Sequence, residues 1–196
     1  MRRLLSYRVF ASSLLVLLAL GFTVLAQTET EGVKEFNARI KSYMELQKRV
    51  SSSVPPLATT EADPTKIATR TKALANGIQQ ARAGAKPGDI FSAQAGREFR
   101  QIIQGALQGK QGAPSRDTVK TGNPTEEPGA ASKVALAVNT PYPDGAPRSS
   151  VPPSLLMHLP QLPKGLEYRF LGPNLILLDS MANLILDYLR DVVPKA

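Results

Sequence analysis

The sequence contains no cysteine and no tryptophan, and it has a single histidine, His158, among its 196 residues. The absence of cysteine excludes disulfide bonds, thiolate catalysis, cysteine-based zinc sites and lipid anchors that need an N-terminal cysteine. One histidine also excludes a two-histidine metal site within a single chain. We therefore predict no metal site and no cofactor, and any catalytic group here must be a carboxylate, a hydroxyl, a lysine or an arginine.

Charged residues are also missing from Val9 to Thr28, a stretch that follows a basic head of three arginines. A leucine-rich centre and the short side chains of Val24 and Ala26 complete the pattern of a secretory signal peptide. Residues 1–26 are therefore predicted to be a signal peptide, and the mature protein is predicted to be periplasmic or secreted by the general secretory route. The alternative is an uncleaved anchor, because about 18 apolar residues just span a bilayer. Only in that case would the chain contact a membrane.

Acidic residues are outnumbered, and the formal net charge is +8. Removal of the three arginines of the signal peptide lowers it to +5. Outside the cytoplasm a basic surface meets anionic lipid, cell-wall polymer or acidic proteins more often than nucleic acid, so no nucleic-acid partner is predicted. The alternative is that the lysines only keep a helical surface soluble.

Apolar residues recur at helical spacing through residues 27–109, which we interpret as a module of three helices. Asp63 before Pro64 and Ser92 before the third apolar stripe are typical helix N-caps. Each interior glycine weakens its helix by about 1 kcal/mol relative to alanine, so the helices must pack against other elements to be stable. The first stripe consists of Val33, Phe36, Ile40, Tyr43, Gln47 and Val50.

Residues 110–153 are rich in proline and glycine and are predicted to form a linker and strap. Within this region, residues 110–132 are predicted to be mobile, and Val134 to Val138 to be either one short strand or an extended strap. Residues 154–196 open with a brief helical turn, Ser154 to His158, and a strap with two Leu-Pro steps.

The clearest strand pattern follows, in three runs separated by short breaks: Leu166 to Leu171, Asn174 to Asp179, and Asn183 to Leu189. Short connections favour an antiparallel three-stranded meander, so the predicted fold class is α+β. Strict alternation places Leu175, Leu177 and Ile185 on one face. It places Ile176, Leu178, Leu184 and Leu186 on the other. Because both faces are apolar, we predict that the helices cover one and that the strap, a second copy or a partner binds the other.

Three features together resemble a family of small exported bacterial proteins without an assigned activity. These are the AKPGDIF segment from Ala85 to Phe91, the paired Leu-Pro steps, and the tail from Leu166 to Leu189. The resemblance covers most of the mature chain. The tail alone resembles the closing meander of small periplasmic nickel and cobalt homeostasis proteins. No metal role is transferred to any residue, since His158 is the only soft ligand.

Candidate catalytic residues are few. Asp179 and Asp187 share a predicted sheet face, where paired carboxylates are suited to acid–base hydrolysis or weak binding of a hard cation. The alternative is that each caps a turn or pairs with an arginine such as Arg190. His158 lies in an apolar strap without a recognisable nucleophile. We therefore expect an exported, non-enzymatic binding or structural component whose partner is an envelope protein, a polymer or a second copy, with a carboxylate-based hydrolase or weak metal-binding protein as the alternative.

Overall fold

The computed structural model describes residues 29–58, 60, 62–120, 135–143, 146 and 149–194. The predicted signal peptide lies outside the described residues, and no helix within them is long and apolar enough to cross a bilayer. The helices are α1 (Glu31–Ser52), α2 (Pro64–Ala81), α3 (Ala93–Leu107), α4 (Ala113–Lys120) and α5 (Pro153–Leu156). The strands are β1 (Thr140–Pro141), β2 (Leu166–Leu171), β3 (Asn174–Asp179) and β4 (Leu184–Leu189). The α+β class and the C-terminal meander are confirmed.

Helices α2 and α3 begin where the sequence places their caps. The Asp63 side chain accepts a hydrogen bond from the Thr65 amide, and the Ser92 side chain accepts one from the Ala95 amide. The buried positions of α1 repeat at helical spacing, which turns one stripe toward the sheet. That stripe contributes to a cluster of contacting aromatic rings, with centroid separations of 4.8 to 6.3 Å, formed by Phe36, Phe91, Phe99 and Tyr168.

The sheet has four strands in the order β1-β4-β3-β2, all antiparallel to their neighbours. Its β3–β4 pairing contains a β-bulge, since Leu177 lies opposite Asp187 while Leu178 lies opposite Ile185. Leu186 is the extra residue and has no partner on β3. A bulge reverses the alternation of the residues that follow it.

The face assignment from strict alternation is wrong for three residues of β4, namely Leu184, Ile185 and Leu186. Leu184 lies opposite Asp179 and joins Leu175 and Leu177 on the face packed against the helices, and Leu186 also lies there. Ile185 lies on the other face with Ile176 and Leu178. The error came from counting Asn183 as part of the strand, whereas Leu184 is the residue opposite Asp179. The bulge then returns Asp187 to the predicted face.

One hydrophobic core joins the predicted helical module to the meander, from Phe36 on α1 to Val192 after β4. The opposite sheet face is covered by residues before α5, chiefly Tyr142, with Leu136 and Ala146 packed beside it. Both faces are thus interior surfaces of the same chain.

One prediction for the proline-rich region needs correction. Residues 113–120 form α4, in which Val119 is buried and its carbonyl accepts a hydrogen bond from the Ser149 hydroxyl, so this part of the predicted mobile linker is packed. Residues 121–132 of that linker lie outside the described residues. Of the two alternatives for Val134 to Val138, a strand or an extended strap, the strand is not present at residues 135–138, and the pairing begins at Thr140 in β1. The predicted helical turn near Ser154 is present as α5.

Candidate functional site

Asp179 ends β3 beneath α1 and is completely buried. One carboxylate oxygen accepts hydrogen bonds from the Tyr43 hydroxyl at 2.5 Å and from the Gln47 amide at 2.6 Å. The other accepts from the backbone amides of Met181 and Ala182 at 2.8 and 2.9 Å. Burial and the nearby carboxylate raise the pKa of Tyr43, so the phenol keeps the proton that it donates. Asp179 therefore fixes α1 to the β3–β4 turn.

Asp187 on β4 is equally buried and binds the AKPGDIF turn before α3. Its carboxylate accepts hydrogen bonds from the backbone amides of Gly88, Ile90 and Phe91 at 3.1, 2.8 and 2.8 Å, and from its neighbour Tyr188 at 2.8 Å. The turn needs Gly88 in the left-handed region, at φ +92°. The AKPGDIF segment thus forms an anion-binding turn whose anion is a side chain of the same protein.

Arg82 carries a positive charge near Asp187. Its guanidinium lies over the Tyr43 ring at 5.4 Å and donates to the Asn139 side chain at 3.1 Å and the Leu186 carbonyl at 3.2 Å. Burial lowers the pKa of this guanidinium, while Tyr43 and Asp187 act in the opposite direction. Arg82 therefore joins α2 to the sheet without forming an ion pair with either aspartate. Arg190, the partner that the sequence suggested, instead contacts Tyr188.

The two aspartates lie on the same face, but their surroundings do not form an acid–base pair. Each carboxylate accepts four hydrogen bonds from a different set of groups, and neither is exposed to solvent. His158 is exposed, and its ring Nδ1 lies 2.7 Å from the Ser154 carbonyl within the α5 turn. Among the described residues, no group of three acidic or histidine side chains is arranged to hold a metal ion.

The residues predicted to bind a partner are buried in this conformation. All seven, Leu175, Ile176, Leu177, Leu178, Leu184, Ile185 and Leu186, have 0% of their surface exposed. A partner would reach either face only by displacing the helices or the segment around Tyr142. Their binding role stays a prediction.

A surface groove of about 710 Å³ lies between β2 and residues 150–162, which we call the α5 segment. It is lined by the edge-strand residues Leu166 to Arg169 and by apolar residues of the α5 segment. Two of these, Leu156 and Met157, are 50% and 79% exposed. The groove volume falls in the range of about 300 to 1,000 Å³ that is typical of binding sites.

The sequence analysis did not identify the groups that donate hydrogen bonds to the carboxylates of Asp179 and Asp187. Gln47 carried a signal, since it occupies a buried position of the first apolar stripe where a polar side chain needs a partner. Tyr43 lies on the same stripe one turn earlier. The backbone amides of the AKPGDIF turn carried no side-chain signal.

The chain matches no protein-family model, and no curated protein or solved structure is significantly similar to it.

Proposed function

We propose that this protein is an exported, non-enzymatic binding or structural component of the cell envelope, and that it contacts its partner through the groove between β2 and the α5 segment. The proposal combines an export signal in the sequence with an open apolar groove on a well-packed domain.

The observation that carries the proposal is the state of the two buried carboxylates. Acid–base catalysis needs a carboxylate within hydrogen-bond reach of a substrate. Asp179 and Asp187 instead have their oxygens occupied by eight hydrogen bonds from the chain. Both side chains are completely buried, Asp179 beneath α1 and Asp187 beneath the AKPGDIF turn. The hydrolase and metal-binding alternatives depend on these two residues, so the geometry favours binding over catalysis.

The groove supplies a surface suited to binding. Met157, at 79% exposed, and Leu156, at 50% exposed, line the same groove, so their apolar surface is exposed as one patch. Clustered exposed apolar side chains at a concave site mark interaction surfaces more often than scattered ones do.

The experiment is site-specific crosslinking in the exporting cell. A photoreactive residue at Met157 is expected to give a crosslinked product in the envelope, whereas the same residue at Met181, which is 47% exposed but does not line the groove, is expected to give none. Intact mass of the exported chain is expected to show Gln27 as the first residue. Equal crosslinking at both positions, or at neither, would contradict the proposed binding site, and a retained Met1 in washed membranes would contradict export by cleavage.

A further inference from the structure

One end of the hairpin formed by α1 and α2 contains no buried residue among those described. Gln47 is the last buried residue of α1, and Leu74 is the first buried residue of α2. Every described residue from 48 to 73, which we call the hairpin end, is exposed or half-buried. The part of α2 within it has four β-branched side chains, which form helices less readily than alanine, and it buries none of them. The hairpin end therefore presents a surface that a partner can cover.

The hairpin end carries most of the excess positive charge. It has five basic and two acidic residues, a net charge of +3, against +5 for the whole chain without the signal peptide. Lys48, Arg49 and Lys72 are exposed, and within the described part of the chain their side chains form no ion pair or hydrogen bond. Of the acidic residues, Asp63 is engaged as the cap of α2. The positive charge is therefore available to an anionic partner.

The segment between the two helices, residues 54–58, is apolar and has few free backbone groups. We call it the tip segment, and its residues are Val, Pro, Pro, Leu and Ala. The Arg70 guanidinium donates to the Val54 carbonyl at 3.2 Å and to the Pro55 carbonyl. The Val54 amide donates to a carbonyl of α1 at 3.3 Å, and Pro55 and Pro56 have no amide hydrogen. Because unsatisfied backbone groups are costly in an apolar medium, this segment is well suited to enter one.

Apolar and basic side chains meet in a concavity beside the tip segment. The concavity has a volume of about 400 Å³ and lies between the tip segment and α2. Val54 and Leu57 line it, together with Lys66 and Arg70. A surface that combines basic and apolar groups is typical of proteins that bind at the interface of an anionic bilayer.

We propose that the hairpin end docks on the surface of an anionic phospholipid bilayer, with the tip segment among the headgroups and Lys48, Arg49 and Lys72 near the phosphates. Basic residues at a membrane surface are attracted to anionic lipid, and apolar side chains among them gain free energy by leaving water. An acidic protein would match the charge alone, whereas a bilayer interface also matches the apolar tip segment, whose backbone groups are already bonded.

This inference goes beyond the proposed function and uses a different surface from the groove. It also differs from the expectation drawn from the sequence, in which only an uncleaved signal segment would contact a membrane.

Cosedimentation of the exported chain with vesicles tests the role of charge. We expect binding to vesicles of phosphatidylglycerol and phosphatidylcholine and none to phosphatidylcholine alone, whereas a retained signal segment would bind both. Each basic residue near an anionic surface contributes about fivefold to binding, so Lys48→Gln, Arg49→Gln and Lys72→Gln combined should weaken it about a hundredfold. The matched control also neutralises two lysines and one arginine, at exposed positions on or beside α3 and α4. It should weaken binding less than about fivefold, and it consists of Arg97→Gln, Lys110→Gln and Lys120→Gln.

Tryptophan fluorescence tests the tip segment, because the chain has no tryptophan of its own. We expect the tryptophan introduced by Leu57→Trp to shift its emission to shorter wavelength when the anionic vesicles are added. Gln80→Trp, exposed at the other end of α2, is the control and should show no shift.

No binding to the anionic vesicles, equal weakening by the two triple variants, or an unshifted emission from Leu57→Trp would each overturn the inference. If the chain binds no vesicles and a photoreactive residue in place of Pro56 crosslinks to an envelope protein, the hairpin end is a protein interface instead. Urea denaturation of both triple variants checks that they remain folded. The proposed function is tested separately by crosslinking at Met157, so either proposal can fail while the other stands.

Discussion

The Tyr43 hydroxyl donates a 2.5 Å hydrogen bond to the Asp179 carboxylate, across 136 positions of the chain. The bond joins the middle of α1 to the end of β3, and both groups are buried. Because it is a hydrogen bond to a charged acceptor in a low-dielectric site, it is stronger than an average one.

Tyr43→Phe removes this donor and leaves the shape of the ring unchanged. We expect the free energy of unfolding to fall by about 1.5 to 3 kcal/mol, since Asp179 loses one of its four partners while it stays buried. Urea denaturation measures the change. Tyr188→Phe, at a half-buried ring whose hydroxyl contacts Arg190, is the control and should change stability by less than about 0.5 kcal/mol. Equal losses of stability from the two substitutions would show that the Tyr43–Asp179 hydrogen bond contributes no more than an ordinary surface contact.

Asp187→Asn tests the anion-binding turn. The asparagine amide has two donors that face backbone donors, so we expect a loss of at least about 2 kcal/mol of stability. Hydrogen exchange should also become faster at the amides of Ile90 and Phe91. Asp191→Asn is the control, because Asp191 is exposed and its backbone lies in the left-handed region that asparagine tolerates. Unchanged protection of both amides would show that the turn does not depend on the carboxylate.

Leucines on opposite faces of β3 test whether both faces are interior. Leu177 packs toward the helices and Leu178 toward the Tyr142 segment, and both are 0% exposed. We expect Leu177→Ala and Leu178→Ala each to cost about 2 to 5 kcal/mol in urea denaturation. Met157→Ala, at an exposed site, should cost little. A small effect at Leu178 alone would mean that the second face is only loosely covered.

Two helical glycines should respond to alanine in opposite ways. Gly105 on α3 has no atom within 4 Å of where a Cβ would be, so Gly105→Ala should stabilise the protein by about 0.5 to 1 kcal/mol. A Cβ on Gly77 of α2 would lie 2.5 Å from a methyl carbon of Val50 on α1. We expect Gly77→Ala to lower the thermal midpoint because α1 and α2 must separate, and Gly77→Ala combined with Val50→Ala to recover part of the loss.

Glu35 gives the protein an acid-sensitive contact between α1 and α3. Hydrogen bonds from the Ser92 hydroxyl and from Arg39 lower the pKa of this carboxyl below its ordinary value of 4.5. A lowered folded-state pKa stabilises the fold above pH 4.5, and this stabilisation is lost as the pH falls through the lower value. Glu35→Gln should therefore flatten the decline of stability in acid, measured by urea denaturation between pH 3 and 7. Glu45→Gln, an exposed change on the same helix, is the control and should leave the decline unaltered.

Local patterns were enough to predict seven of the nine elements in the described part of the chain, all except α4 and β1. The α1 stripe, the caps at Asp63 and Ser92, and the three C-terminal strands each depend on residues close together in the chain, where spacing and propensity act directly. The same holds for the turn of helix at α5. These features determine the α+β class before any long-range contact is considered.

The tertiary structure decided which residues share a sheet face and which groups bind the buried carboxylates. Both depend on residues that are distant in sequence. The turn between β3 and β4 includes Asn183, so Leu184 lies opposite Asp179 and Ile185 is on the face opposite that predicted. The bulge at Leu186 comes from fitting β4 to β3, and it returns Asp187 to the predicted face. Asp187 has four amide partners, three of them about a hundred residues earlier in the chain, and a backbone amide leaves no trace in a side-chain pattern. The sequence by itself determined the three long helices, the α5 turn and the three strands of the meander, and that two aspartates share a face. Only the packing of α1 and the AKPGDIF turn decided that both carboxylates hold the fold together, since a buried charge is stable only where donors from other elements converge on it.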